Sequence, residues 1–277
     1  MNVLSLFDGM SCGKVALDRL GFTIDNYFAS EIDESAIKVS KKNHPNIIHL
    51  GDIKSIQAKD LPKIDLIIGG SPCTTFSRAG DGSGFDGASG LFWEYVRLVK
   101  ECNPTYFLLE NVVMKKEWKD IISNALGVTP KLINSNTVSA QNRPRLYWAN
   151  FDFSVIEEPC SITVKDILED EPVDSKFYLS DKAIAYMDRL RNGKPRWEYH
   201  TNPLDGKAAC LTANMYKGVP YLVIKEFKRK LTPVECERLQ TLDSNYSDVV
   251  SQTARYRMIG NGWTVKVISH ILSHIKQ

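Results

Sequence analysis

The sequence predicts an α/β protein built around a doubly wound, mostly parallel sheet. Three observations favour this class: short apolar runs alternate with amphipathic helical segments, glycine or proline marks their ends, and polar residues directly follow several of the runs. The chain has 277 residues, 43% hydrophobic and 25% charged, which is enough for a sizeable core in one or two domains.

The alternation runs through the first half of the chain. A helix from about Lys14 to Leu20 follows the first apolar run, "NVLSLF". A second helix, "GLFWEYVRLVKEC", carries Phe92, Val96 and Val99 on one face. The apolar runs that predict the remaining strands of this half are "NYFASEI", "NIIHLGDI", "IDLIIGG" and "TYFLLENV".

The later elements are interrupted by an irregular region. A short helix, "EWKDIISNAL", ends at Gly127, and "RPRLYWANF" predicts one more strand. After Phe153 the alternation fails until "TPVECERLQTL", a helix with Pro233 in its first turn, and the amphipathic helix "VKVISHILSHI". Between the fourth strand and the second helix, five glycines in "SRAGDGSGFDGASG" predict either a lid that closes over a site or a disordered surface loop.

Charge is distributed unevenly although the net charge is only +2. Residues 155–181 hold eight acidic and two basic side chains, whereas residues 186–230 hold ten basic and four acidic. A basic segment with interleaved aromatic residues is either a nucleic-acid-binding face or an ordinary solvated surface. We interpret Trp197 and Tyr199 as anchors of this segment in preference to base-stacking residues.

Composition argues against several classes of protein. The six cysteines include no C-x-x-C pair, which argues against a zinc site and a disulfide framework. His270 and His274 have the spacing of some zinc ligands, but no third ligand is in view, so an ordinary helix surface is predicted and no metal is expected. Without a basic leader or an apolar run of ~18 residues, we expect a soluble cytoplasmic protein that is not bound to a membrane.

Three polar positions at the ends of strands favour a nucleotide-like cofactor. "FDGMSCG" follows the first strand and opens a helix, although a plain turn would explain it as well. Glu31 ends the second strand 18 residues beyond Gly13, near the ~20-residue spacing at which an acid reaches a ribose hydroxyl. Asp52 ends the third strand. Together they favour an adenosine-bearing cofactor over a nicotinamide dinucleotide.

The ends of the later strands carry reactive groups. Cys73 follows Pro72 just past a buried strand, where a cysteine is better placed to react than to pack. Glu110 lies near the end of the fifth strand, where the alternative is a helix-capping acid. Arg143 and Arg145 are two residues apart on an extended segment, so both point the same way, toward an anion or carbonyl oxygens or into ordinary ion pairs.

These segments resemble those of the DNA (cytosine-5)-methyltransferases. The combination and order carry the resemblance more than any single piece, and the opening and closing motifs are most similar to the catalytic domains of the animal de novo enzymes, while the short chain also suits a bacterial or phage enzyme. The matching segments are "FDGMSCG", "GGSPCTTFSRAG", "LLENV", "QNRPR", "LTPVECERLQTL" and "RMIGNGWTVKVISHIL".

The resemblance implies a domain organisation. It implies a Rossmann-like class I S-adenosylmethionine-dependent methyltransferase fold with a mixed sheet, formed by residues 1–152 and 228–277, and a small irregular target-recognition domain at 153–227. The implied partner is double-stranded DNA, read as a short target, and the implied setting is a restriction-modification system. The location would be the nucleoid in a bacterial or phage enzyme and the nucleus in a eukaryotic one; homo-oligomerisation is left open.

The resemblance also implies roles at the reacting base. Cys73 would be the nucleophile that adds to carbon 6 of a flipped cytosine. Glu110 would contact N3 and the exocyclic amine, Arg145 would reach O2, and Arg143 would support the loop or bind a phosphate. A transfer-RNA cytosine methyltransferase and a non-catalytic regulatory homologue are the two alternatives.

The implied cofactor is S-adenosyl-L-methionine. The turn after the first strand would hold its adenine and methionine parts, Glu31 its ribose hydroxyls, and Asp52 and Ile53 its adenine edge. The full set of implied cofactor-binding residues is Phe7, Asp8, Gly9, Met10, Ser11, Cys12, Gly13, Glu31, Ile32, Asp52, Ile53, Pro72, Leu91, Asn261, Gly262 and Trp263.

Overall fold

A computed structural model describes residues 1–72, 88–217 and 223–276. The chain folds into two compact units. The sheet unit comprises Met1–Asn134, Pro144–Glu157 and Val267–Gln277, and the second unit comprises Ser135–Arg143 and Glu158–Lys266. The predicted domain boundaries at 152/153 and 227/228 rest on sequence motifs and differ from the boundaries of these two units. The assignment of a target-recognition domain therefore stays a prediction.

The sheet unit is organised around one mixed sheet. Within the described residues its seven strands lie in the order β3-β2-β1-β4-β5-β7-β6. Strands β1 to β5 pair in parallel, and β7 is antiparallel to both β5 and β6. The strands are β1 (Asn2–Leu6), β2 (Asn26–Ser30), β3 (Ile48–His49), β4 (Leu66–Gly70), β5 (Tyr106–Val112), β6 (Lys131–Asn134) and β7 (Pro144–Ala149).

Helices connect these strands and form much of the second unit. The described helices are α1 (Cys12–Arg19), α2 (Glu34–Asn43), α3 (Phe92–Cys102), α4 (Lys116–Leu126), α5 (Asp181–Asp188), α6 (Trp197–His200), α7 (Pro233–Leu239), α8 (Gln252–Asn261) and α9 (Val265–Leu272). Short strands β8 (Leu190–Arg191), β9 (Lys194–Pro195), β10 (Val223–Ile224) and β11 (Arg229–Lys230) form two small hairpins in the second unit. The predicted α/β class with a mostly parallel sheet is confirmed.

The strand order of the sheet indicates at which edge a ligand would bind. The order reverses between β1 and β4, whose register pairs Leu6 with Gly69. A doubly wound sheet opens a crevice at the carboxyl ends of the two strands that flank such a reversal, and ligands bind there. The loops that leave this point are the β1–α1 turn and the Ser71–Pro72 segment.

The helix ends follow ordinary capping chemistry. Asp33 accepts a hydrogen bond from the Ser35 backbone amide at the start of α2. Gly127, with φ 71°, ends α4 in the left-handed conformation that glycine adopts without strain. α3 buries Phe92, Tyr95, Val96 and Leu98 against the core of the sheet unit, close to the face that the sequence predicts.

Some elements differ from the sequence-based expectation. The third strand is only two residues long, and α1 starts at Cys12, two residues earlier than expected. In the sheet unit α2 and β6 were not predicted, and in the second unit neither α8 nor the short elements α5, α6 and β8–β11 were predicted. α2 and α8 carry few large apolar residues, and β6 is a four-residue edge strand, so their hydrophobic periodicity is weak.

The second unit is held together by buried polar contacts. Arg229, which is 0% exposed, forms an ion pair with Glu235 at 2.8 Å, and Glu235 also accepts a hydrogen bond from the Thr232 backbone amide in a capping box. Trp197 is buried and donates from its indole to Asp188 at 2.8 Å, which confirms it as an anchor. No helix among the described residues is long and apolar enough to cross a bilayer.

Candidate functional site

The turn after β1 encloses the carboxyl group of Asp8. Its oxygens accept hydrogen bonds from the hydroxyls of Ser5 and Ser11 and, at 2.8 Å, from Tyr27 on β2. Burial raises the pKa of Asp8 from its ordinary 3.8 to about 6, while the three hydroxyls oppose the rise and Glu31 adds to it. The Asp8 carboxyl group therefore links β1, β2 and the residue before α1.

Glu31 joins the first two loops of the edge. One carboxylate oxygen accepts from the Gly9 amide at 2.8 Å, and the other accepts from the Ile32 and Asp33 amides, also at 2.8 Å. Gly9 has φ 59°, a conformation that favours glycine. The structure thus brings Glu31 to the β1–α1 turn, as the spacing from Gly13 predicts.

The remaining residues of the predicted cofactor set include both exposed and buried side chains. Ile32 is 71% exposed beside Glu31. Asp52 is exposed and caps a short 3-10 turn by accepting from the Lys54 amide at 3.0 Å, and Ile53 is buried beneath it. In the turn itself, Phe7 lies at φ 57°, and the buried members of the set are Met10, Ser11, Cys12 and Gly13.

A second group lies at the ends of β5 and β7. Glu110 and Arg145 form an ion pair, with 2.9 Å between Oε1 and Nε, and their side chains are 11% and 13% exposed. The strand register pairs Arg145 with Val112, so the two charged residues lie diagonally across neighbouring strands. The pair is mostly shielded from water, which strengthens its electrostatic influence on a bound group.

Asn111 fixes the segment that leads to the predicted nucleophile. Its side-chain amide donates to the Ser71 backbone oxygen at 3.3 Å and to the Ser71 hydroxyl at 2.9 Å. Pro72 follows and is half-buried, whereas Cys73 and the predicted lid up to residue 87 lie outside the described residues. Leu91, on the far side of that stretch, is half-buried and packs against the core of the sheet unit.

Arg143 belongs to the second unit and is nearly fully buried there. Its guanidinium donates to three backbone carbonyls, those of Leu211 at 2.8 Å, Gly260 at 2.9 Å and Gly262 at 2.8 Å. Gln240 donates to the same Gly262 oxygen at 3.0 Å. These donors hold the turn that carries the predicted cofactor residues Asn261, Gly262 and Trp263.

A glycine is required at the start of that turn. A Cβ on Gly260 would lie 2.3 Å from backbone atoms of Thr212, well inside the contact distance of real side chains. The "GNG" pattern is therefore explained at this position by close packing of two backbone segments within the second unit.

Comparison with known proteins decides the family. The model of the C-5 cytosine-specific DNA methylase family matches residues 1–277, the whole chain. The chain belongs to this family. It is therefore an enzyme, a DNA (cytosine-5)-methyltransferase, and the resemblance stated from its motifs is confirmed.

Individual members of the methylase family support the assignment. The chain is 35% identical to Type II methyltransferase M1.ScrFI of Lactococcus lactis subsp. cremoris, over 91% of this chain and 73% of the relative. It is 28% identical to Type II methyltransferase M.Bsp6I of Bacillus sp., over 99% and 98%. These relatives are bacterial modification enzymes.

Solved structures confirm the fold. A DNMT2 structure from Spodoptera frugiperda matches with a TM-score of 0.75 at 21% identity over 98% of each chain. The Entamoeba histolytica methyltransferase EhMeth matches with a TM-score of 0.76 at 16% identity, over 100% of this chain and 99% of that one. The Rossmann-like fold of S-adenosylmethionine-dependent methyltransferases is thereby confirmed for this methylase.

Several residues of the site were not predicted. Ser5 and Tyr27 bind Asp8 from separate strands, and Asn111 positions Ser71 from β5. Asn111 lies inside the "LLENV" motif, so its place beside Glu110 was a usable signal. Tyr27 carries no local signal, because its role depends on which strands are neighbours, whereas Ser5 lies only three residues before Asp8 in the sequence.

His270 lies on α9 and is half-buried, and His274 lies two residues beyond the end of the helix and is exposed. His270 is within 2.9 Å of the Ser154 backbone oxygen, and His274 is within 2.9 Å of the His270 backbone oxygen. Among the described residues there is no group of three or more His, Cys, Asp or Glu side chains arranged to hold a metal ion.

Proposed function

We propose that this methylase transfers a methyl group to carbon 5 of a cytosine flipped out of a short duplex DNA target, through a covalent adduct with Cys73. The observation that carries the proposal is the shielded Glu110–Arg145 pair, which lies one strand away from the end of β4. Asn111 anchors Ser71 at that end, two residues before Cys73. The carboxylate and the guanidinium thus lie one strand from the end of β4, and Cys73 follows Pro72, the last described residue of the segment that leaves that end.

The residues of the edge also fit the family's cofactor, S-adenosylmethionine. Glu31 and the turn at Gly9 lie together, and the exposed Ile32 offers an apolar surface for a ring. When bound, this cofactor supplies an electrophilic methyl group. We assign the ribose hydroxyls to Glu31, the adenine edge to Asp52 and Ile53, and the methionine part to the turn at 8–13.

The chemistry assigned to the chain's own residues explains why a cysteine is needed. Carbon 5 of cytosine is a poor nucleophile until the Cys73 thiolate forms a bond to carbon 6, which places electron density on carbon 5. After carbon 5 is methylated, a base removes its proton and the sulfur–carbon 6 bond breaks. The thiolate is regenerated and 5-methylcytosine is released.

Glu110 and Arg145 are assigned to the base itself. Glu110 contacts N3 and the exocyclic amine and stabilises the ring as it accepts the thiolate, and Arg145 binds O2. Their mutual ion pair orients both groups before a base arrives, so little reorganisation is needed. For Arg143 we propose the loop-supporting role, because its donors are directed at three backbone carbonyls.

We assign DNA recognition to residues 153–227. The β8–β9 hairpin turns at Asn192 and Gly193, with φ 50° and 76°, and presents exposed Arg189, Arg191 and Lys194. Exposed cations on a tight hairpin suit contacts with the phosphate backbone. Affinity for duplex DNA is expected to fall steeply as salt concentration rises.

The decisive variant is Cys73→Ser. A serine hydroxyl is a far weaker nucleophile at neutral pH than a thiolate, so methyl transfer from labelled S-adenosylmethionine to duplex DNA is expected to be lost. Cofactor binding measured by calorimetry is expected to stay close to that of the parent. Cys102→Ser, the same change at the end of α3, is the matched control and should keep full activity.

Trapping separates the alternatives. A duplex oligonucleotide that carries 5-fluorocytosine in the target context should become covalently attached to the chain in the presence of S-adenosylmethionine, because fluorine cannot leave as a proton does. Transfer RNA with the same base tests the alternative substrate. Attachment to transfer RNA alone, or wild-type turnover by Cys73→Ser, would contradict the proposal.

A further inference from the structure

Gln240 directly follows α7, and its buried side-chain amide uses every hydrogen-bonding position that it has. The nitrogen donates to the backbone oxygens of Ile259 at 2.8 Å and Gly262 at 3.0 Å. The oxygen accepts from the Thr264 hydroxyl at 2.7 Å and from the Gln141 side-chain amide at 3.3 Å. A side-chain amide has two N–H donors and two acceptor lone pairs, so all four are occupied.

The partners of Gln240 fix which end of the amide is nitrogen and which is oxygen. Two of them are carbonyl groups, which can only accept, so the nitrogen must face them. The Thr264 hydroxyl accepts a hydrogen bond from the Ser135 hydroxyl at 2.8 Å and donates its own proton to the Gln240 oxygen. Neither a carboxylate nor an apolar side chain satisfies all four partners, so this position requires an amide.

The hydrogen bonds of Gln240 span one turn of the chain, residues 260–263. Ile259 lies before this turn in α8, Gly262 lies within it, and Thr264 lies beyond it, so one side chain connects the two sides. The Gln240 backbone oxygen adds a contact on the far side by accepting from the Val265 amide at 2.9 Å. All of these residues belong to the second unit.

The 260–263 turn is buried at its flanks and accessible between them. Gly260 and Thr264 are buried, whereas Asn261 is exposed and Trp263 is half-buried. The bonds that Arg143 makes to this turn reach backbone oxygens that precede Trp263, whereas Gln240 also reaches Thr264, which follows it. The relative position of the Asn261 and Trp263 side chains therefore depends on the Gln240 amide.

We propose that Gln240 is a positioning residue for S-adenosylmethionine binding, because its amide holds the 260–263 turn in the arrangement in which Asn261 and Trp263 bind the cofactor. This inference rests on the proposed function and on the cofactor roles implied for these two residues. Gln240 acts through the turn and not by touching the cofactor. When the turn is loosened, only a fraction of the molecules is competent to bind, and the apparent Kd rises by the reciprocal of that fraction.

Gln240→Glu keeps the size of the side chain but places an oxygen opposite the two carbonyl groups. Calorimetry is expected to show about tenfold weaker binding of S-adenosylmethionine, and the KM for the cofactor should rise by a similar factor. The kcat at saturating cofactor and the KM for DNA should stay within about twofold of the parent. A general loss of stability would instead lower the apparent kcat without changing the Kd of the folded fraction. Gln57→Glu, the same change at an exposed position, is the control and should bind like the parent.

Thr264→Val tests the same connection from its other end. Valine keeps the shape of the side chain and removes the hydroxyl that bonds to Gln240, and it introduces no buried charge, so the test remains available if Gln240→Glu fails to fold. We expect about threefold weaker cofactor binding. The double variant should bind no more weakly than Gln240→Glu alone, because both changes break one connection.

Three results would overturn the inference. Parental cofactor affinity in both single variants would mean that the amide does not position the turn, and the proposed function would stand. Additive losses in the double variant would mean that Gln240 and Thr264 act separately. A KM for DNA that rises as much as the KM for the cofactor would indicate a disturbance of the whole second unit. Failure of the parent to bind S-adenosylmethionine would remove the cofactor site itself, and with it the proposed function.

Discussion

Two carboxylates at the functional edge are stabilised by different means. Glu110 is paired with a guanidinium, whereas Asp8 is surrounded by neutral hydroxyls. Burial among neutral groups favours the protonated form of an acid, which is why the pKa of Asp8 is raised to about 6. One carboxyl group at this edge is therefore the ion-pair partner of a guanidinium, and the other is a titrating structural group.

Glu110→Gln tests the ion-paired carboxyl group. Glutamine keeps the size of the side chain and one acceptor, but it loses the charge that is proposed to stabilise the base. We expect the single-turnover rate constant of methyl transfer to DNA to fall by about 10²-fold or more, with the Kd for S-adenosylmethionine little changed. Single-turnover kinetics and calorimetry measure the two quantities.

Glu117→Gln provides the comparison for this variant. Glu117 is an exposed residue in the first turn of α4, so neutralising it should change neither quantity. If Glu110→Gln kept the turnover of the parent, Glu110 would have no role in the chemical step.

The sequence identifies the candidate catalytic residues more readily than the residues that position or pack around the site. Glu110 and Arg145 are identified by motifs on their own strands, and the structure brings them to 2.9 Å. The hydroxyl of Tyr27 at Asp8 and the place of Gly69 beneath Tyr95 depend on strand order and helix packing. Local patterns do not encode such neighbours, and supports therefore emerge only from the fold.

At the scale of elements, a buried ion pair joins α7 to β11 in the second unit. Arg229 on β11 donates through both terminal nitrogens to Glu235, at 2.9 and 2.8 Å, and Glu235 lies in the first turn of α7. Both side chains are fully buried. Breaking a buried ion pair by removing one partner leaves the other charge uncompensated, which is more costly than replacing both.

Arg229→Met is expected to destabilise the chain strongly. Leaving Glu235 buried without its cation should lower the free energy of unfolding by about 3–5 kcal/mol. Urea titration followed by circular dichroism measures the change. Lys225→Met, which removes an exposed cation from the same region, should shift the free energy by less than about 0.5 kcal/mol. Similar midpoints for the two variants would contradict this account of the pair.

The prediction of elements from sequence succeeds where periodicity is strong. β1, β4 and β5 are continuous apolar runs and appear where expected, whereas α8 was missed. α8 buries Tyr256, Met258 and Ile259 among polar residues such as Arg255 and Asn261, so its pattern resembles a loop. Tertiary packing therefore stabilises this helix more than its intrinsic helix propensity does.

For the whole molecule, Asp8 makes stability depend on pH. Its pKa is about 6 in the folded chain, above its ordinary 3.8, so the folded chain binds more protons than the unfolded chain between these values. The free energy of unfolding therefore falls as pH rises through this window. The contribution of Asp8 to this fall is at most about 3 kcal/mol, reached just above pH 6.

Asp8→Asn removes this dependence. The difference in unfolding free energy between parent and variant is expected to decline from pH 4 to pH 6.5 and then to level off. His44 and His49 have lowered pKa values through burial and contribute the opposite trend, but they are present in both proteins and cancel in the difference. Urea titrations at half-unit pH steps provide the measurement; a flat difference across the window would refute the assignment.

The division of the chain has a consequence for exchange between genes. Residues 158–266 form a single continuous insert of the second unit, and that insert contains both the basic hairpin and the helix and turn from 231 to 264. Recombination that swapped this insert would transfer the segment proposed to recognise DNA together with the proposed cofactor residues Asn261, Gly262 and Trp263. Arg143 lies in the 135–143 segment, which is not part of the insert. In a hybrid, the new insert would still have to supply backbone carbonyl oxygens that accept hydrogen bonds from the Arg143 guanidinium. The proposed recognition segment would therefore have to be exchanged together with backbone that fits Arg143, and not as an independent module.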